Sequence, residues 1–239
     1  VGPEDFVSAW IQPLVMFAVI PTHNRPAELT ELLASIPPEV SVLVIDNASD
    51  PSICGAAGLR GDQFTQFLGR RIRVVRDEEQ PPNLSRLWNI GLDWAAELAA
   101  GAEYAVAVLN DDVVLPPDFF DVMSRAFEVW SADVAFPGAT FRANVDKGPV
   151  GLADRMTGFC FVVRGHSGIR ADERMRWWCG DDDIEQQALQ RGGTVRVPFP
   201  DGAIRHRHPD QSTAANPVLQ EQTGKDMATF VDKWGFRPW

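Results

Sequence analysis

Short, largely apolar runs, each ending in polar side chains, set the rhythm of the first half of the chain. Leu14 to Ile20 is continuous enough to be a strand buried on both faces, and Val40 to Ile45 and Tyr104 to Leu109 read the same way. Ile72 to Val75 makes a further short strand. Between them the period changes. Pro26 is suitably placed to open a helix, Leu29, Leu32, Leu33 and Ile36 follow at helical spacing, and Pro37-Pro38 ends it. After Asn83, the residues Leu84, Leu87, Trp88, Leu92, Ala95, Leu98 and Ala99 share one face of a long helix. Strands alternating with helices predict an α/β fold with a mostly parallel sheet and crossover connections.

The second half is less regular. Phe119 to Trp130 reads as a helix, and Val134 to Phe136, Thr157 to Val163 and Thr194 to Pro198 as strands. Ala143 to Leu152 is loop-like. Asp181-Asp182-Asp183 opens a helix that ends at Gly192-Gly193, and Leu219 to Trp234 forms a C-terminal helix. Ile204, His206 and His208 alternate onto one face. The expected organisation is an arm over 1–13 and one domain over 14–215. Its halves are 14–112 and 113–215, and 216–239 packs on it as the terminal helix.

What ends the strands carries the chemistry. In open α/β sheets ligands bind beyond the carboxyl ends of the strands. One such edge gathers Thr22, His23, Asn24, Asp46, Asn47, Asp111 and Asp112. The adjacent Asp111 and Asp112 repel each other, so a positive group belongs beside them. A divalent cation carrying a phosphorylated ligand suits two carboxylates, since Mg²⁺ and Mn²⁺ favour oxygen ligands. The competing reading is a polar turn ahead of the helix near Asp118.

Composition narrows the classes. The 239 residues are 45% hydrophobic, enough for a substantial core. A formal charge of -11 disfavours salt-driven binding to nucleic acid or anionic membrane. Cys54, Cys160 and Cys179 form neither a disulfide framework nor a zinc pattern and suit a reducing compartment. No run approaches the roughly 20 apolar residues of a spanning helix. The expectation is a cytoplasmic protein without integral membrane association. Eight tryptophans against one tyrosine suit ring-faced ligands, with Trp177 and Trp178 the candidates to stack on such a ring and most of the others in the core.

Several stretches in this order resemble the family-2 type of nucleotide-sugar glycosyltransferases with the GT-A fold. Val19 to Pro26 is similar to the family's opening strand and nucleotide loop, and Val44 to Asp50 to its second strand end, where the acid contacts the base. Asn83 to Gly91 resembles its Asn-plus-Gly helix start. Asn110-Asp111-Asp112 stands where the family carries Asp-x-Asp, with asparagine at the first position. Gly158 to Val163 looks like the acceptor-side strand, and Trp178 to Asp183 like the helix start bearing the catalytic base.

The resemblance implies an inverting, metal-dependent transfer from a nucleoside diphosphate sugar, UDP-type favoured, to an acceptor hydroxyl. Asp181 or Asp182 is then the base. Asp112 is the direct metal ligand, with His206 or His208 completing the Mn²⁺ or Mg²⁺ site and Asp111 nearer the sugar. Asp46, Thr22, Asn24 and Arg25 would surround base and ribose, with Pro21, Asn47, Asn83 and Asn110 also on the donor side. Arg86 reaches a phosphate or is a surface ion-pair partner, and Gly158 joins Trp177 and Trp178 on the acceptor side. The acceptor could be a glycan, a lipid-linked sugar, a small metabolite or a modified nucleobase, and the oligomeric state stays open. Two rivals remain. A nucleotidyltransferase would carry a glycine-rich loop after the first strand, which Pro21 to Pro26 lacks. A catalytically inactive nucleotide- or sugar-binding module is suggested by Asn110.

Overall fold

The structure is a computed structural model that describes residues 14–56, 65–67, 70–144, 155–208 and 211–238. The expected N-terminal arm and most of the loop from Ala143 to Leu152 lie outside them.

Four parallel strands form the centre. They are β1 (Val15–Thr22), β2 (Ser41–Asn47), β4 (Arg70–Asp77) and β5 (Tyr104–Leu109). In β1, β2 and β5 each inner residue is buried whichever way its side chain points, and the alternation splits the core in two. Ala18, Ile20, Val42, Val44, Ala105 and Ala107 face one layer, and Phe17, Val19, Leu43, Ile45, Val106 and Val108 the other. Helices α1 (Pro26–Ser35) and α4 (Phe119–Val129) cover the first face. The second is covered by α3 (Leu84–Ala99) and α5 (Gly180–Leu189). The short α2 (Ile53–Ala56) follows β2.

The full sheet has nine strands. With β3 (Thr65–Phe67), β7 (Val134–Gly138), β8 (Arg142–Asn144), β9 (Cys160–Arg164) and β10 (Thr194–Pro198), the order is β3-β4-β2-β1-β5-β9-β7-β10-β8. Strands β3, β8 and β9 run antiparallel to their neighbours, so the sheet is mixed but mostly parallel. Two-residue strands β6 (Val113–Val114) and β11 (Arg205–His206) pair separately and bring His206 beside the end of β5. Helices α6 (Gln211–Ala215) and α7 (Pro217–Trp234) close the chain. Among the described residues no helix is long and apolar enough to cross a membrane.

The strand expected from Thr157 starts only at Cys160, because Thr157 to Phe159 turn away to line a cavity. Arg142–Asn144, partly inside the expected loop, is an edge strand on β10.

The chain leaves β1 toward β2 and β4, then returns to the other side of β1 with β5. That reversal opens a crevice between the carboxyl ends of β1 and β5, where such sheets take ligands. The face opposite depends on Gly91: a Cβ there would fall inside the Val19 side chain, so only glycine lets α3 lie this close to β1. Gly91→Ala should therefore destabilise the fold by about 1–3 kcal/mol through overpacking, read as a lower urea midpoint at unchanged m-value.

Candidate active site

The residues after β1 and β5 close on one another through buried polar bonds. Thr22 Oγ1 donates to Asp111 Oδ2 at 2.8 Å. Arg25 Nη1 lies 2.8 Å from Asp112 Oδ2 and 3.3 Å from Asp111 Oδ1. The positive group that the paired acids require is thus supplied, within the protein, by Arg25. Burial raises the Asp111 pKa and outweighs the help from Thr22 and Arg25, with the charge of Asp112 adding to the rise. Burial acts on Asp112 too, but His206 and Arg25 more than offset it and hold that carboxyl below its usual range. His23 Nδ1 donates to the Asn47 carbonyl at 2.6 Å and ties this loop to the end of β2.

A cavity of about 700 Å³ lies over these residues. Its charged and polar side is formed by Thr22, His23, Arg25, Asn47, Asn110, Asp111 and Asp112, with Pro21 beside them. Trp88, Trp177, Trp178, Leu84, Leu87 and Leu219 supply an apolar, aromatic side. Asp181, Arg155, Gly158, Phe159, His206 and His208 also reach it.

The candidates for a metal separate on geometry. Asp112 Oδ1 is buried, has no hydrogen-bond donor among the described residues, and stands 3.2 Å from His206 Nε2. Asn110 Nδ2 sits 3.4 Å from the same nitrogen, and the Phe159 ring stacks on the imidazole at 4.8 Å. An orphaned carboxylate oxygen beside a ring nitrogen fits two neighbouring ligands of one divalent cation. His208 is placed otherwise, with its Nε2 3.6 Å from Glu28 Oε1. Among the described residues no group of three or more His, Cys, Asp and Glu surrounds a metal position.

The three acids that open α5 have three different surroundings. Asp181 faces the cavity, and a Cβ on Gly158 would come within 3.2 Å of its Oδ2. Burial raises the Asp181 pKa against the pull of Arg155 and nearby backbone N–H groups. Asp182 turns away to pair with Arg155 at 2.6 Å, and it too is raised, by burial and by the charge of Asp181. Asp183 is fully buried and bonds to Lys233, Trp234, Gln187 and the Asp172 amide.

Other residues expected on the donor side sit behind the cavity wall. Asp46 accepts from Ser49 N, Ser52 Oγ, Ile53 N and Arg76 Nη1, so its carboxylate organises the loop after β2. Asn24 joins the same loop through the Asp50 amide at 2.7 Å. Asn83 caps α3 by accepting from Arg86 N, and it donates to the Glu173 carbonyl. Arg86 pairs with Asp77 and Glu79. Sequence reasoning missed Gln80, Arg155, Thr213, Asn216 and Leu219, all lining the cavity. Only the aromatic cluster Trp177-Trp178 hinted that this side would be apolar.

A family model described as "Glycosyl transferase family 2" matches residues 17–196. No curated protein matches the chain in sequence. Among solved structures, the crystal structure of S. aureus TarS 1-349 superposes with a TM-score of 0.57 at 15% identity, over 92% of this chain and 72% of that one. The same protein in complex with UDP gives 0.57 at 14%, over 93% and 72%. Its complex with UDP-GlcNAc gives 0.55 at 14%, over 94% and 74%. At such identities the likeness is one of fold.

The Asp46 network makes a stability prediction. Burial raises its pKa, and the bonds from Ser49, Ile53 and Ser52 outweigh this and leave it lowered. Folded Asp46 thus binds its proton less readily than unfolded Asp46. Its contribution is present above the unfolded value near 3.8 and is lost as pH falls through the folded one. Asp46→Asn should cost about 1–3 kcal/mol at pH 7, with the difference from wild type shrinking in acid, measured by urea denaturation at several pH values.

Proposed function

Because the chain belongs to glycosyl transferase family 2, we propose that its cavity carries out an inverting, divalent-metal-dependent transfer of a sugar from a UDP-type nucleotide sugar to an acceptor hydroxyl. The observation that carries this reading is the shared cavity. Asp112, His206 and Arg25, suited to a diphosphate and its cation, line it together with Asp181, a carboxylate suited to take a proton.

In this reading the nucleotide lies along the ends of β1 and β2, against Pro21, Thr22 and Asn47. Asp46 and Asn24 act from behind by fixing the loop, and Arg25 and Asp111 face the diphosphate and sugar. Asp112 and His206 would hold Mn²⁺ or Mg²⁺, which supplies charge neutralisation to the departing diphosphate. The acceptor oxygen bonds to the anomeric carbon as the bond from that carbon to the diphosphate oxygen breaks. The bonding pair leaves on the diphosphate, and the hydroxyl proton passes to Asp181. One displacement inverts the centre, and its transition state is oxocarbenium-like. Asp182 is held by Arg155 and steadies the turn that presents Asp181. Trp177 and Trp178 offer an apolar surface to the ring of a sugar-like acceptor.

Two sets of measurements test this. Calorimetry with UDP and Mn²⁺ should show Asp112→Ala abolishing the metal-dependent part of binding. His206→Ala should weaken it by more than about tenfold, while His208→Ala leaves it unchanged. Equal effects of the two histidines would contradict the metal assignment. For the base, Asp181 must be ionised, so the rate of UDP release should rise with pH along a limb above the ordinary carboxylate range. Asp181→Asn should keep UDP binding, lose that limb, and cut the rate about 10²–10⁴-fold.

A further inference from the structure

The last helix lies beyond residues 17–196, the stretch matched by the family model, yet it is built into the wall that carries the proposed base. Asp226 on α7 is fully buried and gives both carboxylate oxygens to the loop ahead of α5. Its Oδ1 accepts from Arg176 N at 3.0 Å, and its Oδ2 from Trp177 N at 2.7 Å and Trp178 N at 2.8 Å. One turn earlier on α7, Gln222 Nε2 donates to Oδ1 at 2.7 Å and sets the rotation of the carboxylate. Three successive N–H groups pointed at one buried anion form a strong, directional clamp, since each bond is charge-assisted. The other side of this loop is fixed by α3, where Leu84 N donates to the Arg176 carbonyl at 2.6 Å and Ser85 Oγ to the Met175 carbonyl at 2.5 Å.

We infer that Asp226 is a positioning residue for the transfer reaction, setting through the Arg176–Trp178 backbone where Trp177, Trp178 and the nearby Asp181 stand in the cavity. The inference rests on the glycosyl-transfer reading of that cavity. Two features separate it from a general role in stability. The donor-side residues Thr22, Arg25, Asp111 and Asp112 hold one another through their own bonds, so loosening the clamp leaves them in place. Between Trp178 and α5 the backbone passes through Cys179 at a φ of 62°. A non-glycine residue in that conformation persists only where its surroundings hold it, and the Asp226 clamp ends one residue before it.

The test uses the full chain with Mn²⁺ and whichever of UDP-glucose, UDP-galactose and UDP-GlcNAc the wild type turns over. In Asp226→Asn one end of the side chain becomes a donor set against a backbone N–H. The expected result is a kcat for UDP release lowered at least about tenfold, with the UDP dissociation constant and the donor KM within about twofold of wild type. Hydrogen exchange at the 176–178 amides should quicken at the same time. Gln222→Met keeps the carboxylate but frees its rotation, and should shift kcat and exchange in the same direction by less. It carries the test if Asp226→Asn does not fold. A wild-type kcat in the variant that folds, or a loss confined to UDP binding, overturns the inference alone. A wild type that binds UDP yet releases none from any of the three sugars overturns the reading of the cavity and the inference with it.

Discussion

Two neighbouring carboxylates, Asp111 and Asp112, are 6% and 1% exposed at the end of a central strand. Such a pair tolerates burial only with positive charge and donors at hand, because desolvation and mutual repulsion both oppose ionisation. Much around them answers to that requirement. Arg25 reaches both acids from the loop after β1, Thr22 bonds the first of them, and the β6–β11 pairing brings His206 to the second. Among the described residues one oxygen of Asp112 has no hydrogen-bond donor, and we place the proposed divalent cation there. The sheet topology makes this convergence possible by placing β5 next to β1 at the reversal of strand order.

On the cavity's other side, backbone N–H groups are held by a buried carboxylate, Asp226. The loop carrying Trp177 and Trp178 is held between the start of α3 and the buried face of α7, and Phe230, Met175 and Cys179 pack beneath it. Asp183 extends the same support by bonding to Lys233 and Trp234 at the end of α7. The acid pair is thus held by its own bonds, while the tryptophan-bearing loop leans on α3 and α7 and is tied to the β2 end through Arg176, Glu79 and Asn47.

The parts of this fold that were legible in sequence are those governed by burial. Runs such as Tyr104 to Leu109 carry no charged or amide side chain because both faces of a parallel strand are covered, and that leaves a plain mark. Strand ends were equally readable as places for polar residues. Direction was not. Asp46 stands at the foreseen strand end, but its carboxylate turns back into its own loop, a choice made by the amides of Ser49 and Ile53. Arg25 finds the acid pair across 86 and 87 residues, a distance over which spacing says nothing. Asp226 reads as one more polar residue on a polar helix, and only the packing of α7 shows it buried. The Asp181-Asp182-Asp183 triplet was visible as a unit, whereas the division of its members among cavity, Arg155 and α7 depends on the helix's rotation.

The central claim is that one cation, the diphosphate it neutralises and a facing carboxylate meet over the ends of β1 and β5. A crystal structure with UDP and Mn²⁺ tests it most directly. The account predicts Mn²⁺ bonded to Asp112 and His206, diphosphate oxygens completing its coordination within reach of Arg25, and Asp181 open to the same space. Anomalous density for Mn²⁺ away from Asp112, or UDP seated outside the crevice between β1 and β5, would contradict it.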